Sequence, residues 1–187
     1  MKKIYFLLST FLLLLFGANA QTSIRYINLD VKMGEEADVA RLFAEYHDVE
    51  RKSGAAVLQS VGYLGGISHR IVFAGDPANW GEKVERSDAE WEAYIGKMRP
   101  HFNDVNRSMV STNLRWRKEG SWEKSKASKY WEIIPEDPEQ FLKAYDNFIK
   151  SIDEILGNRV VTLESIDLGG MGGTHTVSYT HLRAHET

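Results

Sequence analysis

The sequence contains no cysteine and only four prolines in 187 residues. Without cysteine there is no thiol catalysis, no cysteine-ligated metal and no disulfide, so a folded core has to come from hydrophobic packing. The formal net charge is −3 and no basic stripe is present, which argues against nucleic acid and anionic membrane surfaces as partners. Eight phenylalanines, eight tyrosines and five tryptophans can supply the core instead.

Signatures of several enzyme classes are also missing. There is no GxSxG, HExxH or EF-hand pattern, and the glycine-rich stretch at 169–173 lacks the GxGxxG spacing of a nucleotide-binding loop. Neither His69 nor His175 has a partner at the i, i+4 spacing of a helical metal site. We therefore expect no metal centre.

One long apolar run is present, and it lies at the amino terminus. Two lysines precede it and the sequence ANA at 18–20 ends it, which is the pattern of a secretory signal. The run is shorter than the roughly 20 residues of a membrane-spanning helix. Residues 1–20 are therefore predicted to be a cleaved signal peptide. The mature protein would be periplasmic or secreted in a Gram-negative bacterium, with no stable membrane insertion.

The carboxyl end shows no hydrophobic period. Its last eleven residues, VSYTHLRAHET at 177–187, resemble the translation of a sequencing adapter. We expect 177–187 to be a non-native tail that lies outside the fold. His181 and His185 then carry no weight as metal ligands.

Two segments of the remaining chain resemble each other. LQSVGYLGGISHRIV at 58–72 aligns with LESIDLGGMGGTHT at 163–176 after a short deletion and a short insertion. The flanking residues keep a nearly constant offset, as Tyr26 does from Tyr130 and Gly54 does from Gly157. A constant offset predicts one folding unit used twice.

Hydrophobic periodicity predicts strand, helix, strand, strand, helix, strand in the first unit. The segments are 26–31, 35–53, 57–63, 69–73, 88–97 and 112–116. Ser87 and Glu90 predict a capping box for the second helix. The second unit repeats this order with a strand at 130–133, a helix that Asp137 begins, and a strand at 160–168.

This order is the ferredoxin-like motif. The predicted fold class is α+β, with tandem ferredoxin-like βαββαβ units, antiparallel sheets and an incomplete second unit. The first unit covers 21–117, a linker covers 118–128, and the truncated second unit covers 129–176. With the bare sides of two sheets turned inward, the chain resembles a fused form of the dimeric α/β-barrel superfamily. That superfamily includes antibiotic-biosynthesis-type monooxygenases and haem-degrading enzymes.

Polar side chains are predicted to line a space between the two sheets, where a small molecule would bind. The candidates are Tyr26, Asn28, Asp30, His69, Tyr130, Glu132 and His175. The alternative is that these residues form the solvated face of an antiparallel sheet, with the two histidines serving the turns before them.

The resemblance also implies an enzyme. Haem-degrading members use an asparagine on the first strand with a tryptophan and a histidine in or near the second helix, which correspond to Asn28, Trp91 and His101. Haem is the implied cofactor under that hypothesis alone; otherwise the cofactor is unknown. Two functions therefore stay open, an exported module that binds a small molecule or a partner and a monooxygenase-type enzyme. The oligomeric state does not follow from the sequence.

Overall fold

The computed structural model describes residues 22–64, 66–117 and 127–181. The predicted signal peptide and most of the predicted linker lie outside these residues, as do 182–187. Among the described residues, no helix is long and apolar enough to span a membrane.

Strands and helices follow the predicted order in both halves of the described chain. The strands are β1 (Ser23–Val31), β2 (Ala55–Leu64), β3 (Ile67–Gly75), β4 (Phe102–Trp116), β5 (Ala127–Ile133), β6 (Val161–Gly169) and β7 (His175–His181). The helices are α1 (Glu36–His47), α2 (Asp88–Met98), α3 (Pro138–Ser151) and α4 (Asp153–Leu156). Short 3-10 turns cover Pro77–Asn79 and Arg99–His101.

The strands form one antiparallel sheet in the order β2-β3-β1-β4-β6-β7-β5. Its first half has the ferredoxin-like order β2-β3-β1-β4, and β6-β7-β5 repeats the equivalent three strands. The predicted α+β class with ferredoxin-like antiparallel sheets is confirmed. One detail is corrected: the two halves do not form separate facing sheets, because β4 and β6 pair edge to edge. The concave side of this single curled sheet forms the interior.

Two hydrophobic cores lie between the sheet and its helices. The first packs β1 and β3 against α1 and α2 and contains Leu29, Val31, Val39, Leu42, Phe43, Ile71, Tyr94 and Met98. The second packs β6 against α3 and α4 and contains Tyr145, Leu156, Val161 and Leu163. Helices therefore cover the convex side, and the concave side keeps a small apolar cluster of its own, formed by Ile24, Tyr26 and Met109.

Local signals fix the starts of the helices. Ser87 and Glu90 form the predicted reciprocal capping box of α2, and the Asp137 side chain accepts from the backbone N–H of Gln140 at the start of α3. α1 ends at His47, earlier than predicted. Glu82 explains the early end, because it pairs with both His47 and Arg51 and holds the chain after the helix in an irregular path.

Most strands are longer than predicted, and β4 and β7 differ most from the prediction. β4 begins at Phe102, where polar residues and irregular pairing with β1 obscure the alternation. β7 includes residues 177–181, which we expected to lie outside the fold. In β7, Val177 and Tyr179 pack on the second core while Thr180 is fully buried, so both sides of the strand are covered. The adapter origin of the tail stays a prediction.

Candidate functional site

A group of buried polar side chains lies on the concave side of the sheet. We call it the interior cluster; it consists of Tyr26, Asn28, Arg70, Ser111, Tyr130, Thr162, Glu164, Thr176 and Ser178. Six strands from both halves of the chain contribute to it, namely β1, β3, β4, β5, β6 and β7. Tyr130 is the contribution of β5. The alternation of sides along a strand brings these residues to one face, since Leu29 of β1, Ile71 of β3 and Leu163 of β6 lie on the helix-covered face.

Glu164 lies at the centre of the interior cluster and is 1% exposed. The Tyr26 hydroxyl donates to its carboxyl group, with Oη 3.0 and 2.9 Å from the two oxygens. Ser111 Oγ donates to Oε2 at 2.6 Å, and Thr162 Oγ1 lies 3.3 Å from Oε1. Burial raises the pKa of Glu164, although these hydrogen bonds and the charge of Arg70 oppose the shift.

Tyr26 is the phenol that accompanies this carboxyl group. Burial raises the pKa of Tyr26 well above its ordinary value, and the nearby charge of Glu164 raises it further. The phenol therefore stays protonated and acts as a hydrogen-bond donor. The pair joins a carboxyl group that takes up a proton readily to a donor that stabilises its ionised form, which is an arrangement suited to acid-base chemistry.

Arg70 crosses the interior and joins the two halves of the chain. Its Nε donates to Asn28 Oδ1 at 2.8 Å, and its Nη2 donates to Tyr130 Oη at 2.8 Å. The guanidinium also lies over two phenol rings, 4.9 Å from the ring centre of Tyr26 and 4.2 Å from that of Tyr130. Within the described residues no carboxylate forms an ion pair with it.

Two polar atoms beside Glu164 lack a hydrogen-bond partner. They are Asn113 Nδ2 and Thr176 Oγ1, both buried and both unpaired among the described residues. Asn113 is the cross-strand partner of Glu164 on β4, and Thr176 is its partner on β7. The most buried carboxyl group of the interior thus has an unsatisfied polar neighbour on each adjacent strand. Such atoms require an explanation, because an unmade buried hydrogen bond is costly.

The structure brings together three of the residues predicted to line the interior, namely Tyr26, Asn28 and Tyr130. The two acidic candidates, Asp30 and Glu132, lie apart from these three residues. Asp30 faces the same side of β1 but stands opposite Asp104 in the pairing with β4. Glu132 accepts from the backbone N–H groups of Met171 and Gly173, at 2.7 and 3.2 Å, and so holds the turn between β6 and β7.

The two histidines predicted for the interior lie on the helix-covered side instead. His69 has the same strand parity as the core residue Ile71, and His175 makes a ring contact with Phe141 of α3 at 6.1 Å. In each case Nδ1 of the histidine shares a hydrogen bond with the hydroxyl of the preceding residue, and the nitrogen and oxygen lie 3.0 Å apart. Burial lowers the pKa of both. The predicted orientation of these two histidines is therefore corrected. In β3 the alternation of sides turns Arg70 toward the interior and His69 away from it.

The three residues of the haem hypothesis have separate surroundings. Asn28 is buried in the interior beside Arg70. Trp91 belongs to the helical layer, 45% exposed and in contact with Tyr46 and Tyr94. His101 Nδ1 lies 2.7 Å from Glu35 Oε2 near the start of α1. The described residues therefore form no common haem site from this set, and the donor set does not fit the implied cofactor.

Arg70, Ser111 and Glu164 were missed by the sequence analysis. Two of them are charged residues within predicted strands, Arg70 before Ile71 and Glu164 after Leu163, but this signal alone does not decide which side they face. Near the start of α1, ligand atoms of Glu35, Asp38 and His101 lie within 4.8 Å of one another. Acidic groups of this kind at an exposed helix start are common without an ion, so we assign no metal to them.

Comparison with known proteins adds the fold and nothing finer. No protein-family profile matches the chain, and no curated protein matches it. A crystal structure of an anthrone oxidase-like protein is similar, with a TM-score of 0.54 and 9% sequence identity over 87% of this chain and 73% of that one. The fold is that of a dimeric α+β barrel. At this identity the likeness concerns architecture alone.

Proposed function

We propose that this chain binds a small aromatic molecule in the interior of its curled sheet. The observation that carries the proposal is the pair of unsatisfied buried atoms, Asn113 Nδ2 and Thr176 Oγ1, on either side of Glu164. Both atoms are sealed from solvent, so a bound molecule with polar substituents would supply the missing hydrogen bonds once the side chains of Asn113 and Thr176 turn toward it. The small apolar cluster on the same concave side would contact its ring, and such a mixture of apolar and polar lining is typical of ligand sites.

The alternative of a plain solvated sheet face agrees less well with the burial. Glu164 is 1% exposed and Ser111 is fully buried, whereas a solvated face would leave its polar groups in water. Burying a carboxyl group is costly unless hydrogen bonds compensate for it. Groups of this kind with perturbed pKa values concentrate at functional sites.

The pairing of Glu164 with Tyr26 favours a second candidate function, and the name of the similar structure, an anthrone oxidase-like protein, suggests a substrate to test. This function is an oxygenase acting on a ring methylene group. In such a reaction one O₂ converts CH₂ to C=O, and the second oxygen leaves as water with both hydrogens. Glu164 is our candidate for the base that takes the first proton, with Tyr26 hydrogen-bonded to it. Oxygen uptake with anthrone as substrate would then fall to the uncatalysed rate in Glu164→Gln.

Threonine methyl NMR tests the binding proposal in the unmodified protein. We use 2-naphthamide, a neutral planar probe, and follow the methyl signals of Thr176 and Thr112. The Thr176 signal should shift in a saturable manner, since that side chain faces the interior. The Thr112 signal should stay constant, because its hydroxyl bonds Asp167 in exposed surroundings. Saturable shifts confined to surface residues, or no saturation at all, would show that the interior is only a packed polar core.

A further inference from the structure

The charge of Arg70 is the feature of the interior that the binding proposal leaves unexplained. The side chain is 5% exposed, and no described carboxylate forms an ion pair with it. Its two hydrogen bonds go to neutral oxygens, those of Asn28 and Tyr130. A buried charge normally has an ionic partner, since taking it out of water is costly.

Neighbouring groups compensate this charge only in part. The ring faces of Tyr26 and Tyr130 provide cation–π contacts. Glu164 is the other ionisable group of the interior cluster, but it does not touch the guanidinium, and its own burial favours the protonated form. Among the described residues, the charge of Arg70 therefore has no carboxylate in direct contact with it.

The unused hydrogen-bonding capacity consists mainly of donors. Arg70 Nη1 makes no hydrogen bond with any described residue, and it is not among the atoms sealed from solvent without a partner. Asn113 Nδ2 is a second free donor in the described residues, and Thr176 Oγ1 can donate as well. Donors on three strands thus face the interior without a described partner, and the phenol rings restrict approach to Arg70 to the edge of its guanidinium.

We propose that the ligand of the interior is an aromatic carboxylate, anchored by a charge-assisted hydrogen bond between its carboxylate group and Arg70. This inference rests on the proposed binding function and names its ligand class. The guanidinium fork matches a carboxylate in shape and charge. The phenol of Tyr130, which already bonds Arg70, would lie beside the aromatic ring of the ligand.

Two arginines outside the interior provide the contrast. A groove of about 650 Å³ between the end of β4 and α3 contains Arg115 and Arg117. Arg115 pairs with Asp146 at 2.8 Å, and Arg117 pairs with Asp153 at 2.7 Å. Their charges are already compensated, so this groove should not prefer an anion over a neutral molecule of the same shape. Arg115→Met is therefore the matched control for Arg70→Met.

The test compares 2-naphthoate with its neutral isostere 2-naphthamide by calorimetry. The wild type and Arg115→Met should bind the carboxylate at least about tenfold more tightly, the factor expected of one charge-assisted hydrogen bond. Arg70→Met should bind both probes with equal affinity. Equal binding by the wild type, or an equal loss for both probes in Arg70→Met, would overturn the inference and leave the binding function standing. If neither probe binds the wild type, the binding function itself fails.

A measurement on the wild type covers the case in which Arg70→Met does not fold. Addition of 2-naphthoate should shift the guanidinium Nε–H signal of Arg70 in ¹⁵N NMR, while the corresponding signal of Arg115 stays fixed. 2-Naphthamide should shift the Arg70 signal less. A shift at Arg115 alone, or equal shifts of the Arg70 signal with both probes, would contradict the assignment of Arg70 as the anchor.

Discussion

At the scale of single residues, the hydroxyl of Tyr26 is one of three side-chain donors to Glu164, with those of Ser111 and Thr162. Tyr26→Phe removes the donor that lies 2.9 and 3.0 Å from the two carboxyl oxygens and keeps the ring beside Arg70. Removing one of the three donors to this buried carboxyl group should lower the free energy of unfolding by about 1–3 kcal/mol. Urea denaturation at neutral pH measures this loss.

Tyr145→Phe is the control for that substitution. Tyr145 is also buried, and burial raises its pKa to about 12, but its hydroxyl has no carboxyl partner comparable to Glu164. We expect a change within about 0.5 kcal/mol, as for substitutions that remove no buried hydrogen bond. A loss in Tyr145→Phe as large as that in Tyr26→Phe would mean that the interior hydrogen bond contributes nothing specific.

Glu164 should give the stability a distinctive dependence on pH. Its pKa is raised in the folded protein, chiefly by burial, so its stabilising contribution is complete below its ordinary pKa and is lost as the pH rises through the folded pKa. Glu164→Gln cannot lose a proton. The free energy of unfolding of the variant relative to the wild type should therefore increase between pH 4.5 and pH 8. Histidines titrate in both proteins and cancel, so a difference independent of pH would contradict the raised pKa.

The sequence could predict the interior residues of β1 and β5 but not their partners. Tyr26, Asn28 and Tyr130 follow from the alternation of polar and apolar side chains. Arg70 and Glu164 could not be assigned, because a charged residue in a strand is ordinarily solvated, and only the curl of the sheet removes it from water. His69 was placed on the wrong side because three consecutive polar residues, 68–70, hide the phase of β3.

At the scale of elements, Gly169 controls the contact between the two halves. It has φ +78°, and a Cβ there would lie 2.0 Å from the backbone oxygen of Ser108 on β4. Gly157 also has positive φ, +53°, but a Cβ there would meet no atom within 4 Å. Gly169→Ala should be less stable than Gly157→Ala by about 1–3 kcal/mol, the cost of forcing an extra atom into packed structure.

Thermal unfolding of the two glycine variants measures this difference. Both variants place alanine at a positive φ, so the backbone strain is comparable and the difference reports the steric contact. Equal melting temperatures would show that β4 and β6 do not approach as closely as their pairing requires. The pairing of β4 with β6 joins the two halves of the described chain into one continuous sheet.

Elements with local signals were predicted, and elements determined by distant contacts were not. The capping box at Ser87 depends on residues three apart, so the sequence contains it entirely. The end of α1 depends on Glu82, far along the chain, and the inclusion of 177–181 in β7 depends on pairing with both β5 and β6. Long-range pairing of this kind leaves no periodic trace in a short polar segment.

At the scale of the whole molecule, the sheet of the described chain has β2 and β5 at its edges. Each edge presents unpaired backbone groups that can pair with another chain. We expect the 187-residue protein to self-associate as its concentration rises, as measured by light scattering after gel filtration. A stable monomer with sharp cooperative melting would contradict this expectation.

The most direct test of the interior as a ligand site is anomalous diffraction from crystals containing 6-bromo-2-naphthoate. The bromine peak should lie inside the curled sheet, with the carboxylate group within hydrogen-bond distance of Arg70 Nη1 and the ring beside Tyr130. A bromine peak confined to the groove beside Arg115, with the interior unchanged, would contradict the account.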